Sequence, residues 1–195
     1  MRPSGRWPLL LAVLPALLLA GCAPQFGQAE SPVCEQRGLT GSLPVVTEAQ
    51  AVPTASLLPC IKLLPAGWGF GSMLMQSGRA RFSLTNDRVG PAVQAVRVVL
   101  QPACDTSDAV QVPSDEEGAR RYERVESLKG GYRGTRYYVF SGGCVTYRFT
   151  LKGEARAAPL NEATLALGFV SRQALQDMLD KVYKGKFKLN PPAAQ

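Results

Sequence analysis

Apolar and polar positions alternate most cleanly in the last third of the chain, where Val145, Tyr147, Phe149 and Leu151 interleave with Thr146, Arg148, Thr150 and Lys152. A period of two places one set on a buried face and the other in water, so Cys144 to Lys152 is predicted as a strand. It forms a hairpin with Thr135 to Phe140 across Ser141-Gly142-Gly143. Upstream, Ala80, Phe82 and Leu84 alternate with Arg79, Arg81, Ser83 and Thr85. With Trp68 to Gln76 they make another hairpin about Ser77-Gly78, a two-residue turn signal. Ala92 to Gln101 is an almost continuously apolar, central strand, whereas Arg120 to Leu128 is charged, as sheet edges often are. Lys129 to Gly134 turns the chain between them and the next hairpin.

Helical spacing emerges only late. Leu175, Met178, Leu179 and Val182 lie on one stripe behind Ser171, a natural N-cap, with Lys181 and Lys184 at the end and Gly185 as a stop. A short turn is read around Asn161 to Gly168. Residues 34–67 are read as irregular: Thr47 to Gln50 could begin a helix, but Pro44, Pro53, Pro59 and Pro65 oppose a long one. The expected fold is a single α+β domain over residues 34–190, an antiparallel sheet of about six strands with a C-terminal helix packed on one face. No internal repeat is seen, and residues 191–195 are read as a disordered tail.

Before this domain the texture differs. Arg2 and Arg6 precede an unbroken apolar run from Leu9 to Ala20, 12 residues long. A permanent membrane span needs about 20 such residues, so the run reads as the core of a secretory leader. Leu19-Ala20-Gly21-Cys22 resembles the lipobox of bacterial lipoproteins. The resemblance implies cleavage between Gly21 and Cys22, diacylglyceryl transfer to the Cys22 thiol, and localisation on the extracytoplasmic face of the cell membrane. Two or three acyl chains make a firm anchor where one is marginal. Residues 22–33 then read as a flexible tether with a reach of about 35–40 Å.

The cysteines fit that address. Beyond Cys22, the even set Cys34, Cys60, Cys104 and Cys144 points to two disulfides in an oxidising compartment. Of three possible connectivities, Cys34–Cys60 with Cys104–Cys144 is preferred. The first pins the N-terminal segment, and the second joins neighbouring strands. Their wide spacing argues against a redox pair or a cluster site.

Composition removes whole function classes. Histidine is absent, which excludes Ser-His-Asp and Cys-His catalysis and the commonest metal ligand. The formal charge is +7, and the exported part, with 20 basic and 15 acidic residues, carries +5. That excess suits anionic neighbours and is too small to argue for nucleic acid.

Candidate sites are accordingly few. Gly67 to Ser72 lacks the helix and lysine of a phosphate loop and reads as conformational punctuation. Neither Ser72 nor Ser141 fits a nucleophile elbow. Asp105, Asp108, Asp115, Glu116 and Glu117 read as a solvated acidic loop, so no metal and no cofactor is expected. Arg120, Arg121, Arg124, Arg133 and Arg136, among tyrosines, form one basic group; Lys181, Lys184, Lys186 and Lys188 form a second. Their plainer and preferred reading is a solvated sheet face and helix end; their functional one is contact with anionic lipid or an acidic wall polymer.

The stretches Ala51 to Cys60, Leu64 to Trp68 and Gly142 to Phe149 resemble uncharacterised actinobacterial exported proteins, a likeness that implies no activity. The leading expectation is a non-catalytic lipoprotein with a binding or accessory role in the envelope, partnered by the membrane, by anionic lipid or wall polymer, or by an envelope protein. The alternatives are a glycan-active enzyme using carboxylates such as Glu123 and Glu126, and a membrane-apposed structural protein using its basic surfaces.

Overall fold

A computed structural model describes residues 30–35, 38–153 and 157–191. Cys22, Gly21 and the rest of the leader, most of the tether, and residues 192–195 lie outside the described residues. The fold is α+β as expected, and its antiparallel sheet, anticipated at about six strands, has seven. Its strands are β2 (Trp68–Gln76), β3 (Arg79–Asn86), β4 (Gly90–Gln101), β5 (Val110–Val112), β6 (Arg120–Ser127), β7 (Gly131–Phe140) and β8 (Gly143–Lys152). A two-stranded sheet pairs β1 (Leu57–Ile61) with β9 (Leu167–Ser171). Three helices complete it: α1 (Gly38–Ala51), α2 (Ala157–Ala166) and α3 (Arg172–Tyr183).

The large sheet runs β2-β3-β4-β8-β7-β6-β5. Two meanders therefore meet at its centre: after β4 the chain crosses to the far edge and returns strand by strand to lay β8 beside β4. The central pair supplies much of the core: Val96, Val98, Leu100, Val145, Tyr147 and Phe149 are all buried. Helices and the small sheet cover that face. Phe169 of β9 stacks on Tyr147 with ring centroids 6.2 Å apart and meets Tyr138 edge-on at 5.1 Å. Helix α1 adds Val45, Val46 and Ala49 to the same core, and α3 adds Leu175 and Leu179.

Several local expectations change. Residues 34–67, read as irregular, hold a 14-residue helix and a strand. An interior proline costs about 3 kcal/mol in a helix, yet burial of a single valine contributes about 2 kcal/mol. Pro44 itself is buried beside Val45 and Val46, so packing outweighs the local penalty. Pro59 is tolerated in β1 because a two-stranded sheet has a free edge where no donor is needed. The acidic loop contains β5, which borders β6. The turn at Lys129 shortens because β7 starts at Gly131. Gly131 is required there: its φ is 149°, and a Cβ would collide with the backbone carbonyl of Leu151 on the neighbouring strand.

At the C-terminus the Ser171 hydroxyl accepts from the Ala174 N–H, as a cap should. Helix α3 ends one residue before the expected stop, with Lys184 itself left-handed at φ 52° and Gly185 following. Both disulfides take the preferred connectivity, Cys34–Cys60 and Cys104–Cys144. They lie on opposite sides of the large sheet. Cys60 belongs to the covering layer, whereas Cys104 touches Thr146, which alternates with buried Val145 and Tyr147 and points to the other face.

Candidate functional site

Alternation along β6 and β7 divides the first basic group. Arg121 lies opposite Tyr138 and Glu123 opposite Arg136, on the covered face of the sheet. Arg120, Arg124 and Arg133 point the other way, and the structure therefore does not bring the five arginines onto one surface.

On the covered face the charges satisfy one another. The Arg136 Nε donates to Glu123 at 2.7 Å and its Nη1 to Thr164 of α2 at 3.2 Å, while the guanidinium lies 5.6 Å from the Phe149 ring centre. Asp115 accepts from the Tyr138 hydroxyl and from Arg121, each at 2.9 Å. Burial draws the Asp115 carboxyl upward, but these two donors outweigh it and leave it below the usual carboxylate value. The Tyr138 phenol is pushed up to about 12, first by burial and, against the pull of Arg136, by its bond to Asp115. Burial also drives Tyr147 well above a normal phenol. Both tyrosines stay protonated at neutral pH, and neither is a ready base or nucleophile. The network is a strap: through Asp115 it ties the later part of the acidic loop to the covered face of the sheet. Asp115→Ala is expected to lower stability by about 1 kcal/mol, the half-exposed site reducing the value of its charged hydrogen bonds. It should also speed amide exchange at Val110 and Val112; unchanged exchange there would mean the loop is held otherwise.

The carboxylates do not gather. Glu123 is on the covered face, while Glu126 accepts from Thr135 and Arg124 on the opposite one. Asp105 accepts the Ser107 N–H and Asp108 pairs with Arg124. Among the described residues, no group of three or more acidic or cysteine side chains is arranged to hold a metal ion.

The outer face carries the arginines that reading by stretches missed. Arg124 is paired with Asp108 and Glu126, but Arg120 and Arg133 are exposed. Arg81 on β3, Arg97 on β4 and Arg148 on β8 join them, all exposed and none in an ion pair among the described residues. Each sits at a polar position of a strand whose alternation is plain in the sequence. The second basic group is elsewhere, on the helical layer. There Lys188 pairs with Asp180 at 2.8 Å, and Lys181, Lys184 and Lys186 are exposed around the end of α3.

No family model matches the sequence, and no curated protein does either. Among solved structures, a crystal structure of a Bacteroides thetaiotaomicron VPI-5482 protein matches at 12% identity with a TM-score of 0.31. The match covers 60% of this chain and 46% of that one, so the chain spans less than half the length of the protein it resembles. A likeness of that size carries no functional argument.

Proposed function

We propose that the protein is an exported lipoprotein, anchored through Cys22 on the extracytoplasmic face of the cell membrane, with a non-catalytic binding or accessory role in the envelope. One observation carries the reading. Four of five cysteines are engaged in two disulfides, and the fifth is Cys22, the residue that follows Leu19-Ala20-Gly21 behind an apolar leader. Disulfides persist where the surroundings are oxidising, which agrees with a chain that has crossed the membrane. The basic excess of the exported part favours anionic lipid, an acidic wall polymer or an acidic envelope protein over nucleic acid as partner.

Radiolabelled fatty acid supplied to cells making the chain is expected to enter the wild-type protein and to be lost in Cys22→Ala. The variant should also leave the membrane fraction. Label retained by Cys22→Ala would end the anchor reading.

A further inference from the structure

The outer sheet face presents an ordered line of cations. In the register, Arg97 stands directly opposite Arg148. Arg81 is two residues off that row on β3, since its partner is Val99 while Arg97 faces Ser83. Arg133 is two residues off in the other direction on β7, opposite Thr150, while Arg148 faces Thr135. The four arginines thus descend diagonally across the consecutive strands β3, β4, β8 and β7. Direct neighbours stand about 5 Å apart and diagonal ones about 7–8 Å, so the line is about 20 Å long.

Their surroundings favour a ligand. Like charges directly opposite in a sheet are destabilising, and the Arg97–Arg148 pair has no acid between its members to offset this. The floor beneath is flat and closed: Ser83, Val99, Thr135, Tyr137 and Thr146 are all nearly fully buried. Arg97 has its Nε and one Nη held by Gln94, at 3.0 and 2.7 Å, which fixes the head and leaves its other donors free. At the β7 end the line runs into a hollow of about 230 Å³ lined by Lys129, Arg133, Thr150 and Lys152. Of the acids near this face, Asp108 and Glu126 are engaged by Arg124, Glu126 also feels the Arg148 charge, and Asp105 accepts the Ser107 N–H.

We propose that this diagonal is a docking surface for an extended phosphate-bearing polymer, one phosphate to each of Arg81, Arg97, Arg148 and Arg133. Guanidinium groups match phosphate in a bidentate fashion, and a linear polyanion meets a linear array without changing its spacing greatly. The bilayer surface is the less suitable occupant. The described chain joins the fold at the Cys34–Cys60 bond in the covering layer, on the other side of the large sheet from the arginines, and a row of guanidinium groups matches a linear polymer better than the scattered head groups of a bilayer. The proposal rests on the binding role proposed above and names its ligand.

The test is titration of the full chain, in neutral detergent, with inorganic polyphosphate of defined length. Binding is expected, with log affinity falling against log salt at a slope of about −3, as release of counterions from four contacts requires. Orthophosphate at equal phosphate concentration should bind far more weakly. Arg97→Ser with Arg148→Ser should weaken polyphosphate at least tenfold and halve the slope, with no drop in melting temperature. Should that pair unfold, Arg81→Ser with Arg133→Ser is expected to show the same loss. Lys181→Ser with Lys184→Ser should leave affinity unchanged. Undiminished binding in the folded arginine variants, an equal loss in the lysine variant, or arginine-dependent binding to anionic phospholipid vesicles without polyphosphate binding would each overturn the proposal. Fatty-acid labelling is independent of all these results, so a failed anchor and a failed ligand are told apart.

Discussion

Removing the Cys104–Cys144 bond, by changing both residues to serine, is expected to cost about 4 kcal/mol, and removing Cys34–Cys60 about 3.5 kcal/mol. The magnitudes follow from closed loops of 40 and 26 residues, whose entropy the unfolded chain regains when the bonds go. A domain of this size has about 5–15 kcal/mol to lose, so either change consumes a large part and both together leave little. Chemical unfolding of the two double-serine variants measures each cost. Location separates the local effects. Without Cys34–Cys60, the Cys34 N–H bond to Ile61 and the bridge between Val33 and Ile61 should exchange faster. Without Cys104–Cys144, the loop beginning at Pro102 should loosen from the outer face. A loss below about 1 kcal/mol in either variant would show that the unfolded chain keeps those segments together by other means.

Replacing Glu48 with methionine is expected to do the opposite and stabilise the protein at neutral pH by about 2 kcal/mol or more. Glu48 is wholly buried in α1, and neither carboxyl oxygen has a hydrogen-bond partner. An unsatisfied buried polar group costs about 1–3 kcal/mol, and more when charged. Burial drives this carboxyl well above its usual value, so the native state holds a proton that the unfolded chain releases. The sign follows directly. Stability contributed at Glu48 is highest below the ordinary glutamate range, falls as pH rises through and above it, and levels off only past the raised native value. Unfolding free energies at pH 5 and pH 8 should therefore differ more in the wild type than in Glu48→Met. An equally steep pH dependence in the variant, with no gain in stability, would mean that the Glu48 carboxyl is satisfied in the folded protein.

Glu48 also marks where the sequence stops being legible. A glutamate in a segment with four prolines nearby reads as exposed and irregular, and only the core packed around α1 reverses that. The strands told their own story wherever alternation was local: Val145, Tyr147, Phe149 and Leu151 point inward as their spacing demands, and Ser171 caps the helix that follows it. Strands β1 and β9 were invisible because their pairing joins Leu57 to Ser171 across more than half the chain. The arginine line failed for the same reason. Period two marks Arg81, Arg97 and Arg148 as solvent-facing one by one, but their adjacency depends on the order β3-β4-β8-β7, which no single stretch encodes. Grouping by sequence instead collected Arg120, Arg121, Arg124, Arg133 and Arg136, which the pleat sends to opposite faces.

The two rims of the large sheet bear on life in a crowd. Strand β2 is broken by a register shift between Phe70 and Ser72, with Gly71 at the break, and β5 is three residues long with Pro113 directly after it. Bulges, brevity and proline all spoil a sheet margin as a template for a further strand. Molecules confined to a surface by their N-termini meet far more often than molecules free in three dimensions. Held by the anchor proposed above, copies of this chain would form such a population, and blunt rims would keep neighbours from zipping together into a continuous ribbon and leave each copy's arginine face available on its own.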